Sequence, residues 1–434
     1  MPAGTEPPSG VARSRSALTD RAAAERLDAA DAIRGLRAAF EIPEPEPIYL
    51  DGNSLGRLPK VTLERVSELI RDEWGRHGVR RWSDWIDLPV RVGDKIGAAF
   101  LGAAPGEVVL GDSTTVDLYR LADAALQARP GRRVIVASAG EFPTDRYVLE
   151  GLAEARGLEL RLLEPDPVHG LRPADLEGAL DAETALVCLS LVDYRSGAWA
   201  DLTAVTSAVH AVGGLMLWDT SHAVGSVPID LEAAGADVAV GCAYKYLSGG
   251  PGAPAFMYVR REHQDRLRQP IQGWFGQRDQ FAMGPRYDPV PDVGRFQSGT
   301  PPVIALVAVE AAVDLLARTG ITALRAKSVA LTEYLIALAD AWLEPLGFDL
   351  GSPRDAARRG GHVALRHDDA YRIDRALIER AAVIPDFRAP DVVRLAPVAA
   401  YTRFVDVWEA MDRLRRLVAA GEHEAFSGER ARVT

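Results

Sequence analysis

Two charged residues stand directly after apolar segments, where a charge is costly unless it has a partner. Asp219 follows the apolar run Gly214–Trp218, and Lys245 closely follows Val238–Val240 and precedes a glycine-rich loop. Lysine is almost never fully buried without a partner, and a Schiff base with an aldehyde cofactor would supply that partner and give the amine its chemistry. Taken alone, Lys245 is better explained as a surface lysine, and Asp219 serves equally well as a helix N-cap.

The segment Gly111–Val116 (GDSTTV) lies between an apolar run and a helix-like stretch. The free N–H groups and the dipole of a helix N-terminus favour an anion. Thr114 and Thr115 would add hydroxyl donors, which suits a phosphate. For this segment alone, simple capping of the helix by Asp112 or Ser113 is the stronger interpretation.

An aromatic residue, Phe142, follows the next apolar run and could stack on a flat ring. A phenylalanine is more often a core residue. Each feature is weak by itself, but an anion cradle, a ring-stacking aromatic, a carboxylate and a lysine occur in this order, each at a predicted strand end. Together they are the parts of a site for pyridoxal phosphate.

The elements that must position these residues alternate regularly from about residue 105. Short apolar runs are followed by turn residues and, for the first five, by helix-like sequence; the runs are Val108–Leu110, Val134–Ala137, Leu158–Leu163, Ala185–Leu191, Gly214–Trp218, Val238–Val240 and Ala255–Val259. This alternation predicts an α/β fold with a mostly parallel sheet covered on both faces. Ligands of such sheets bind beyond the carboxyl ends of the strands.

The pattern changes after about residue 300. A long helical stretch runs from Pro302 to about Glu344 with a break near Gly320. Strand-like pieces follow at His362–Leu365, Ala382–Ile384 and Val392–Leu395, and a final helix spans about 404–419. We predict a smaller C-terminal α+β domain.

The chain therefore divides into five predicted segments. They are a disordered start (1–20), an N-terminal segment that packs on the small domain and the site (21–60), a large cofactor-binding domain (61–305), the small domain (306–420) and a mobile tail (421–434).

Composition excludes several classes of function. The net charge of the 434-residue chain is −11 and no basic stripe is present, which argues against nucleic acid as a partner. The eight histidines lack metal-binding spacing, so no metal is predicted. No apolar run approaches the roughly 18 residues of a membrane span. Cys188 and Cys242 lie in apolar runs without a disulfide framework, which favours a reducing cytoplasm.

Several longer motifs resemble kynureninase, and the resemblance spans about residues 45–415. The motifs are Asp51–Gly56 (DGNSLG), Glu141–Asp145 (EFPTD), Trp218–His222 (WDTSH), Tyr244–Leu247 (YKYL), Gly273–Gly276 (GWFG), Gly299–Pro302 (GTPP) and Arg394–Pro397 (RLAP). The combination is much narrower than the general aminotransferase-like fold. It implies a pyridoxal-phosphate enzyme of fold type I that cleaves the side chain of a kynurenine to an anthranilate and L-alanine.

The resemblance also implies a homodimer whose active sites are shared between subunits, and a role for each matching residue. Lys245 would hold the cofactor and remove the substrate α-proton. The other cofactor contacts would be Thr114, Thr115 and Tyr244 at the phosphate, with Trp274 and Thr300 from the neighbouring subunit; Phe142 stacked on the ring; and Asp145, Ser190, Asp219 and His222 around it.

On the substrate, Arg394 would bind the α-carboxylate through its planar fork, and Ser54 and Trp82 would lie near the aromatic end. Tyr244 is the expected proton shuttle, with a pKa lowered by phosphate-site donors or by the lysine. Tyr194 and Ser196 depart from the more common family pattern, which leaves the preferred ring substituents open.

Two other classes remain possible from the residues. Another enzyme of the same fold, such as an aminotransferase or a cysteine desulfurase, would share the cofactor site, although a desulfurase needs an accessible reactive cysteine. A non-catalytic regulator would usually add a DNA-binding module, and residues 1–45 are too short and insufficiently basic for one.

Overall fold

The computed structural model describes residues 19–43, 45 and 47–429. The predicted disorder of residues 1–18 and the end of the predicted mobile tail, residues 430–434, lie outside the described residues. The strands are β1 Ile48–Tyr49, β2 Val108–Leu110, β3 Val134–Ser138, β4 Glu159–Leu163, β5 Thr184–Ser190, β6 Leu215–Asp219, β7 Val238–Cys242, β8 Ala255–Val259, β9 Asp349–Leu350, β10 Val363–Arg366, β11 Val383–Ile384, β12 Asp386–Arg388 and β13 Val392–Leu395.

The α-helices fill the connections between these strands. They are α1 Arg21–Ala30, α2 Lys60–Glu68, α3 Trp82–Trp85, α4 Leu88–Ile96, α5 Thr114–Gln127, α6 Pro143–Arg156, α7 Leu202–Ala211, α8 Val303–Thr319, α9 Ile321–Trp342, α10 Ala370–Ala381 and α11 Phe404–Ala419. Helix α2 continues as a π-helical segment over Leu69–His77.

Seven strands form the central sheet in the order β2-β8-β7-β6-β5-β3-β4. Only β8 runs antiparallel to its neighbours β2 and β7, and the remaining pairs from β7 to β4 are parallel. The predicted mostly parallel sheet is therefore confirmed. Because β2 and the parallel strands point the same way, the segments that follow their carboxyl ends meet at one edge of the sheet.

Two predicted helices are wrong. The connection from β6 to β7 consists of turns, so the expected helical crossover between Asp219 and Lys245 is absent. Gly225 and Gly235 in this connection have φ of +79° and +73°, which a helix cannot accommodate. After β4 the chain forms only the short 3₁₀ turn Pro173–Leu176, in a segment rich in proline.

The alanine-rich stretch 21–40 does not form one continuous helix. Helix α1 ends at Ala30, and a 3₁₀ segment follows at Arg34–Ala39. Asp31 ends α1 in an extended conformation, and its carboxylate forms a buried ion pair of 2.8 Å with Lys327. This contact ties the N-terminal segment to α9.

A second, antiparallel sheet of order β12-β13-β10-β9 packs with α10 and α11 around its own hydrophobic core. That core also takes up Ile48 and Leu50, because β1 pairs in parallel with β11. On α9, Leu324 belongs to a core of the large sheet and Leu331 to the core of the smaller one. The division at residue 305 stays a prediction, and we propose that the change of core within α9 marks it more closely.

Within the described part of the chain, no helix is both long and apolar enough to cross a membrane. The same residues contain no group of three or more histidine, cysteine or acidic side chains arranged to hold a metal ion.

Candidate active site

A cavity of about 870 Å³ opens at the carboxyl edge of the central sheet. Its walls come from the segments after β2, β3, β5, β6 and β7, from the loop after β1, and from the hairpin β12–β13. Twelve residues predicted from the sequence line it, namely Ser54, Thr114, Thr115, Phe142, Asp145, Ser190, Asp219, His222, Tyr244, Lys245, Thr300 and Arg394. The cavity thus brings together residues that are up to 340 positions apart.

The N-terminus of α5 forms one end of the cavity. Ser113 caps the helix, since its hydroxyl oxygen accepts a hydrogen bond from the Val116 N–H at 3.4 Å. The hydroxyls of Thr115 and Thr144, which belong to α5 and α6, lie 2.8 Å apart. Free N–H groups, hydroxyls and the helix dipole converge on this end and suit a phosphate group.

Three carboxyl groups cluster beneath the centre of the cavity. Asp219, at the last position of β6, accepts a hydrogen bond from the Ser221 N–H at 2.7 Å. Asp145 is buried, and neither of its carboxylate oxygens has a hydrogen-bond partner among the described residues. Burial, followed by the charges of Asp219 and Glu141, raises the pKa of Asp145 well above its usual value. The charge of Lys245 offsets this rise only in part, so the cluster is short of positive charge.

Glu141 is the third of these carboxyl groups and a residue whose role the sequence did not specify. It accepts hydrogen bonds from the Ser190 N–H at 3.1 Å and from the Ser190 hydroxyl. Burial nevertheless raises the pKa of Glu141 to about 8. Glu141 therefore holds Ser190 in place at the end of β5.

Lys245 is half-buried at the cavity wall, where its Nζ lies 2.8 Å from His222 Nε2. Burial lowers the pKa of Lys245 below its usual value. Burial and the adjacent lysine lower the pKa of His222 well below its usual value. Both shifts favour the neutral forms, so the lysine has the character of a nucleophile and base.

Tyr244 lines the cavity beside the lysine, but the expected lowering of its pKa is wrong. Burial raises the pKa of this phenol instead, and the charge of Asp219 adds to the rise. The backbone carbonyl of Tyr244 accepts from the Gly56 N–H at 2.8 Å, which links the lysine loop to the N-terminal segment. The neutral phenol is the form that the protein itself favours.

Arg394 lies at the other end of the cavity and is almost completely buried. Its Nη1 donates to the Tyr194 carbonyl, and its Nη2 donates to Ser54 Oγ at 3.2 Å and to Asp386. When the Asn53 amide is oriented with its oxygen towards the guanidinium, that oxygen accepts from Nε at 2.8 Å.

The sequence reasoning missed Asn53, Asp386 and Arg388, which also belong to this end of the cavity. Arg388 lines it and pairs with Asp386 at 2.8 Å. Their positions depend on the register of β12 against β13, for which the sequence pattern offered no signal. Ser54 is bonded here, beside Arg394, and its expected place at the aromatic end of a substrate stays a prediction.

Trp82 and Trp274 do not line the cavity of their own chain. They pack edge-on against Phe275 with ring centroids 6.2 and 4.5 Å away, and Trp274 also contacts Phe281. Trp274 is 39% exposed and Phe281 53% exposed. The four rings form an aromatic cluster at the surface of the described chain.

The two positions that depart from the family pattern differ in location. Tyr194 lines the cavity and packs edge-on against Phe142 with ring centroids 5.4 Å apart. Ser196 is buried and its hydroxyl donates to Asp193 Oδ1 at 2.9 Å within a turn. Tyr194 shapes the cavity, whereas Ser196 stabilises the turn that carries it.

Pyridoxal phosphate fits this arrangement. The carboxyl groups of Asp219 and of the unpartnered Asp145 suit a protonated ring nitrogen, the exposed ring of Phe142 suits a flat heterocycle, and the N-terminus of α5 suits a phosphate. Lys245 is an amine of lowered pKa placed to meet an aldehyde. The fold and the site together define a pyridoxal-phosphate enzyme of fold type I.

Solved structures of similar fold agree with this class. The apo cysteine desulfurase from Thermococcus onnurineus NA1 has a TM-score of 0.77 at 18% identity, covering 89% of this chain and 98% of that one. The cysteine desulfurase CsdA from Escherichia coli has a TM-score of 0.75 at 16% identity, covering 89% and 98%. At this identity the likeness shows the fold alone.

Curated relatives are much closer in sequence. Kynureninase from Pseudomonas fluorescens is 42% identical over 409 residues, which cover 92% of this chain and 96% of that enzyme. Kynureninase from Burkholderia pseudomallei strain K96243 is 43% identical with the same coverage. The family model for the kynureninase C-terminal domain matches residues 324–414.

The chain belongs to the kynureninase family, and it is a pyridoxal-phosphate-dependent hydrolase that acts on carbon–carbon bonds. The positions of the two cysteines argue against the alternative that this chain is a cysteine desulfurase. Cys188 and Cys242 are both buried, and burial raises the pKa of each thiol. A buried, protonated thiol is a poor nucleophile.

Proposed function

We propose that this enzyme hydrolyses the Cβ–Cγ bond of L-kynurenine, of 3-hydroxy-L-kynurenine or of both, to an anthranilate and L-alanine. One observation carries the proposal. A lysine whose pKa is lowered and an arginine suited to a carboxylate face the same cavity, at its cofactor end and its hairpin end. An α-amino acid that reaches Lys245 can therefore place its carboxylate at Arg394.

The cofactor contacts follow from the positions of the side chains. Thr114 and Thr115 at the start of α5, with Tyr244, would hold the phosphate. Phe142 would stack on the ring, and Asp219 would pair with the ring nitrogen. Asp145, Ser190 and His222 complete the surroundings of the ring. A cation at the ring nitrogen would remove the repulsion that now raises the pKa of Asp145.

When bound, pyridoxal phosphate supplies an electron sink that acidifies the α-proton of an attached amino acid. Lys245 would take that proton, since its lowered pKa leaves the amine free to accept one. The neutral imidazole of His222, 2.8 Å away, would accept a hydrogen bond from the amine and orient it. The unpartnered Nδ1 of His222 would carry the ring proton.

Tyr244 would donate a proton to the substrate, either at the carbonyl group that water attacks or at the fragment that leaves. Its raised pKa keeps the phenol protonated, so it starts as a donor rather than as a base. Arg394 would bind the α-carboxylate, with Asn53 and the Tyr194 carbonyl limiting its rotation. Arginine suits this task because its guanidinium presents parallel donors to a carboxylate.

The active site would be completed by a second copy of the chain. Trp274 and Trp82 lie outside the cavity of their own chain, in the surface aromatic cluster with Phe275 and Phe281. Exposed aromatic rings of this size are typical of interfaces. Trp274 would reach the phosphate of the neighbouring site, and Trp82 its substrate. Thr300, which was also expected to act from the neighbouring subunit, lines the cavity of its own chain. Two buried, unpaired cysteines suit a cytoplasmic enzyme.

Mixing two inactive variants tests the shared site. Lys245→Ala and Trp274→Ala would be unfolded and refolded together with the cofactor. If Trp274 acts in the neighbouring site, the mixed dimer has one site with both residues intact and regains turnover. Absence of any gain over the separately refolded variants would overturn sharing.

Steady-state turnover of the cofactor-loaded protein tests the reaction itself. L-kynurenine and 3-hydroxy-L-kynurenine would be supplied in parallel while alanine and the aromatic amine are quantified. We expect both products in equal amounts, and the ratio of kcat/KM values gives the ring preference. A protein that binds the cofactor but turns over neither compound would exclude these substrates and favour a further substituted kynurenine.

A further inference from the structure

Asp386 connects three functional groups at the hairpin end of the cavity. Its Oδ2 accepts from Ser54 Oγ at 2.8 Å, pairs with Arg388 Nη2 at 2.8 Å and accepts from Arg394 Nη2. The side chain is only 2% exposed. A single buried carboxylate therefore serves as the counter-ion of two guanidinium groups and accepts a hydrogen bond from a hydroxyl, and all three of these groups line the cavity.

The register of the hairpin creates this contact. Asp386 and Arg394 are directly opposite each other on the antiparallel strands β12 and β13, and Arg388 is opposite Val392. Residues two apart on a strand share a face, so the carboxylate and both arginines project from the same side of the hairpin. The pairing is built into the backbone and does not depend on a flexible loop.

The guanidinium of Arg394 has little freedom left. Of its five N–H donors, one is bonded to Asn53, one to the Tyr194 carbonyl, and two on Nη2 to Ser54 and Asp386. Asp386 is the only anion among these four partners. Without it, the buried Arg394 and the partly exposed Arg388 would lose the carboxylate that they share, and their positive charges would repel each other.

We propose that Asp386 is a positioning residue that holds Arg394 in the orientation in which it receives the substrate α-carboxylate. The inference rests on the proposed role of Arg394. Asp386 acts through the arginine and does not touch the substrate. Its removal therefore weakens the capture of a carboxylate and leaves the cofactor end of the cavity unchanged.

The test is Asp386→Asn in the cofactor-loaded enzyme. The KM for L-kynurenine is expected to rise about ten- to a hundredfold, the usual worth of a charge-assisted contact, while kcat changes by less than about threefold. The affinity for pyridoxal phosphate and the absorbance spectrum of the bound cofactor are expected to stay at wild-type values. Asp391→Asn is the matched control, because Asp391 lies on the same hairpin and pairs with Arg366 at 2.9 and 2.8 Å, outside the cavity.

A second probe separates positioning from a general structural effect. Kynuramine, which is kynurenine with hydrogen in place of the α-carboxyl group, would be titrated against the bound cofactor by absorbance. Asp386→Asn is expected to leave its affinity unchanged. Equal weakening of kynuramine and of kynurenine would overturn the proposal, because the effect would not pass through the carboxylate.

Two more variants, Asp386→Glu and Arg394→Lys, distinguish a failure of the role of Asp386 from a failure of the role of Arg394. Asp386→Glu keeps the charge and displaces it by one methylene, so a smaller rise in KM of about threefold is expected even if Asp386→Asn does not fold. An unchanged KM in both variants, together with a raised KM in Arg394→Lys, would refute positioning by Asp386. An unchanged KM in Arg394→Lys would refute the role of Arg394 itself and hence the substrate assignment.

Discussion

The two ends of the cavity treat their charges in opposite ways. At the cofactor end, Asp145 has no hydrogen-bond partner in the described structure, and burial, followed by repulsion from Asp219, raises its pKa. At the hairpin end, Arg394 and Arg388 are both paired with Asp386. The first end holds a carboxyl group without a partner, and the second end holds a carboxylate of the protein itself as the counter-ion of its arginines.

This difference corresponds to the two kinds of ligand. A cofactor that stays bound can supply a permanent counter-charge, so the protein can bury carboxylates in advance of it. A substrate leaves after each turnover, so its binding group needs a partner within the protein during the empty interval. Asp51, which lies near this end, has a pKa raised to about 7 by burial and by the charge of Asp386.

The largest expected effect is the loss of turnover in Lys245→Ala. The variant lacks the amine that holds the cofactor and takes the α-proton, so kcat is expected to fall by at least about 10³-fold. Turnover of L-kynurenine and the absorbance of covalently held cofactor would be measured together. Lys95→Ala, which removes a surface ion pair with Asp314, is the control and is expected to keep full activity. Substantial activity in Lys245→Ala would contradict the assignment.

The next effect concerns the stability of the cofactor-free protein. Asp386→Asn is expected to lower the free energy of unfolding by about 3 kcal/mol, because the buried guanidinium of Arg394 and the partly exposed one of Arg388 lose the carboxylate that they share. Asp145→Asn is expected to change it by less than about 1 kcal/mol, since neither carboxylate oxygen of Asp145 has a hydrogen-bond partner to lose and the raised pKa of this group already favours its neutral form. Urea unfolding of both variants gives the comparison. Equal losses would mean that the two ends do not differ as described.

A smaller effect depends on pH. The pKa of Glu141 in the folded protein is about 8, above its ordinary value. Folded Glu141 therefore loses its proton between pH 6 and 9, whereas Glu141 of the unfolded chain is already ionised in this range. The folded state binds the extra proton, and stability must fall as pH rises through this range. Relative to the wild type, Glu141→Gln is expected to gain about 2 kcal/mol of stability between pH 6 and pH 9 in the cofactor-free protein. A difference that is independent of pH would refute the shift.

The smallest expected effect is on cofactor affinity. Thr114→Ala removes one hydroxyl at the proposed phosphate position, and the dissociation constant of pyridoxal phosphate is expected to rise about tenfold, or about 1.4 kcal/mol. Equilibrium dialysis of the apoprotein measures it. Thr203→Ala is the matched control, because Thr203 occupies the first turn of α7 and is exposed. Equal affinities of both variants would place the phosphate elsewhere.

Local patterns predicted much of the fold. The bounds of β2, β8, β13 and α11 were predicted to the residue, because each is a short apolar or amphipathic stretch between clear turn signals. The helix after β6 was wrong, since the hydrophobic pattern there was satisfied by turns stabilised by glycine. Strands β9 and β12 were missed, because strands of two or three residues leave too short a pattern.

Local sequence was enough to predict which residues meet at the cofactor end. Thr114 and Lys245 follow β2 and β7, Asp219 is the last residue of β6, and parallel strands bring their carboxyl ends to one edge of the sheet whatever the exact packing. Tertiary structure alone decided the hairpin end, where the pairing of Asp386 with Arg394 and Ser54 depends on strand register and on a loop more than 300 residues away. It also decided the pKa of Tyr244 and the distance of Trp274 from its own cavity, because burial and long-range proximity are properties of the folded chain and not of any local pattern.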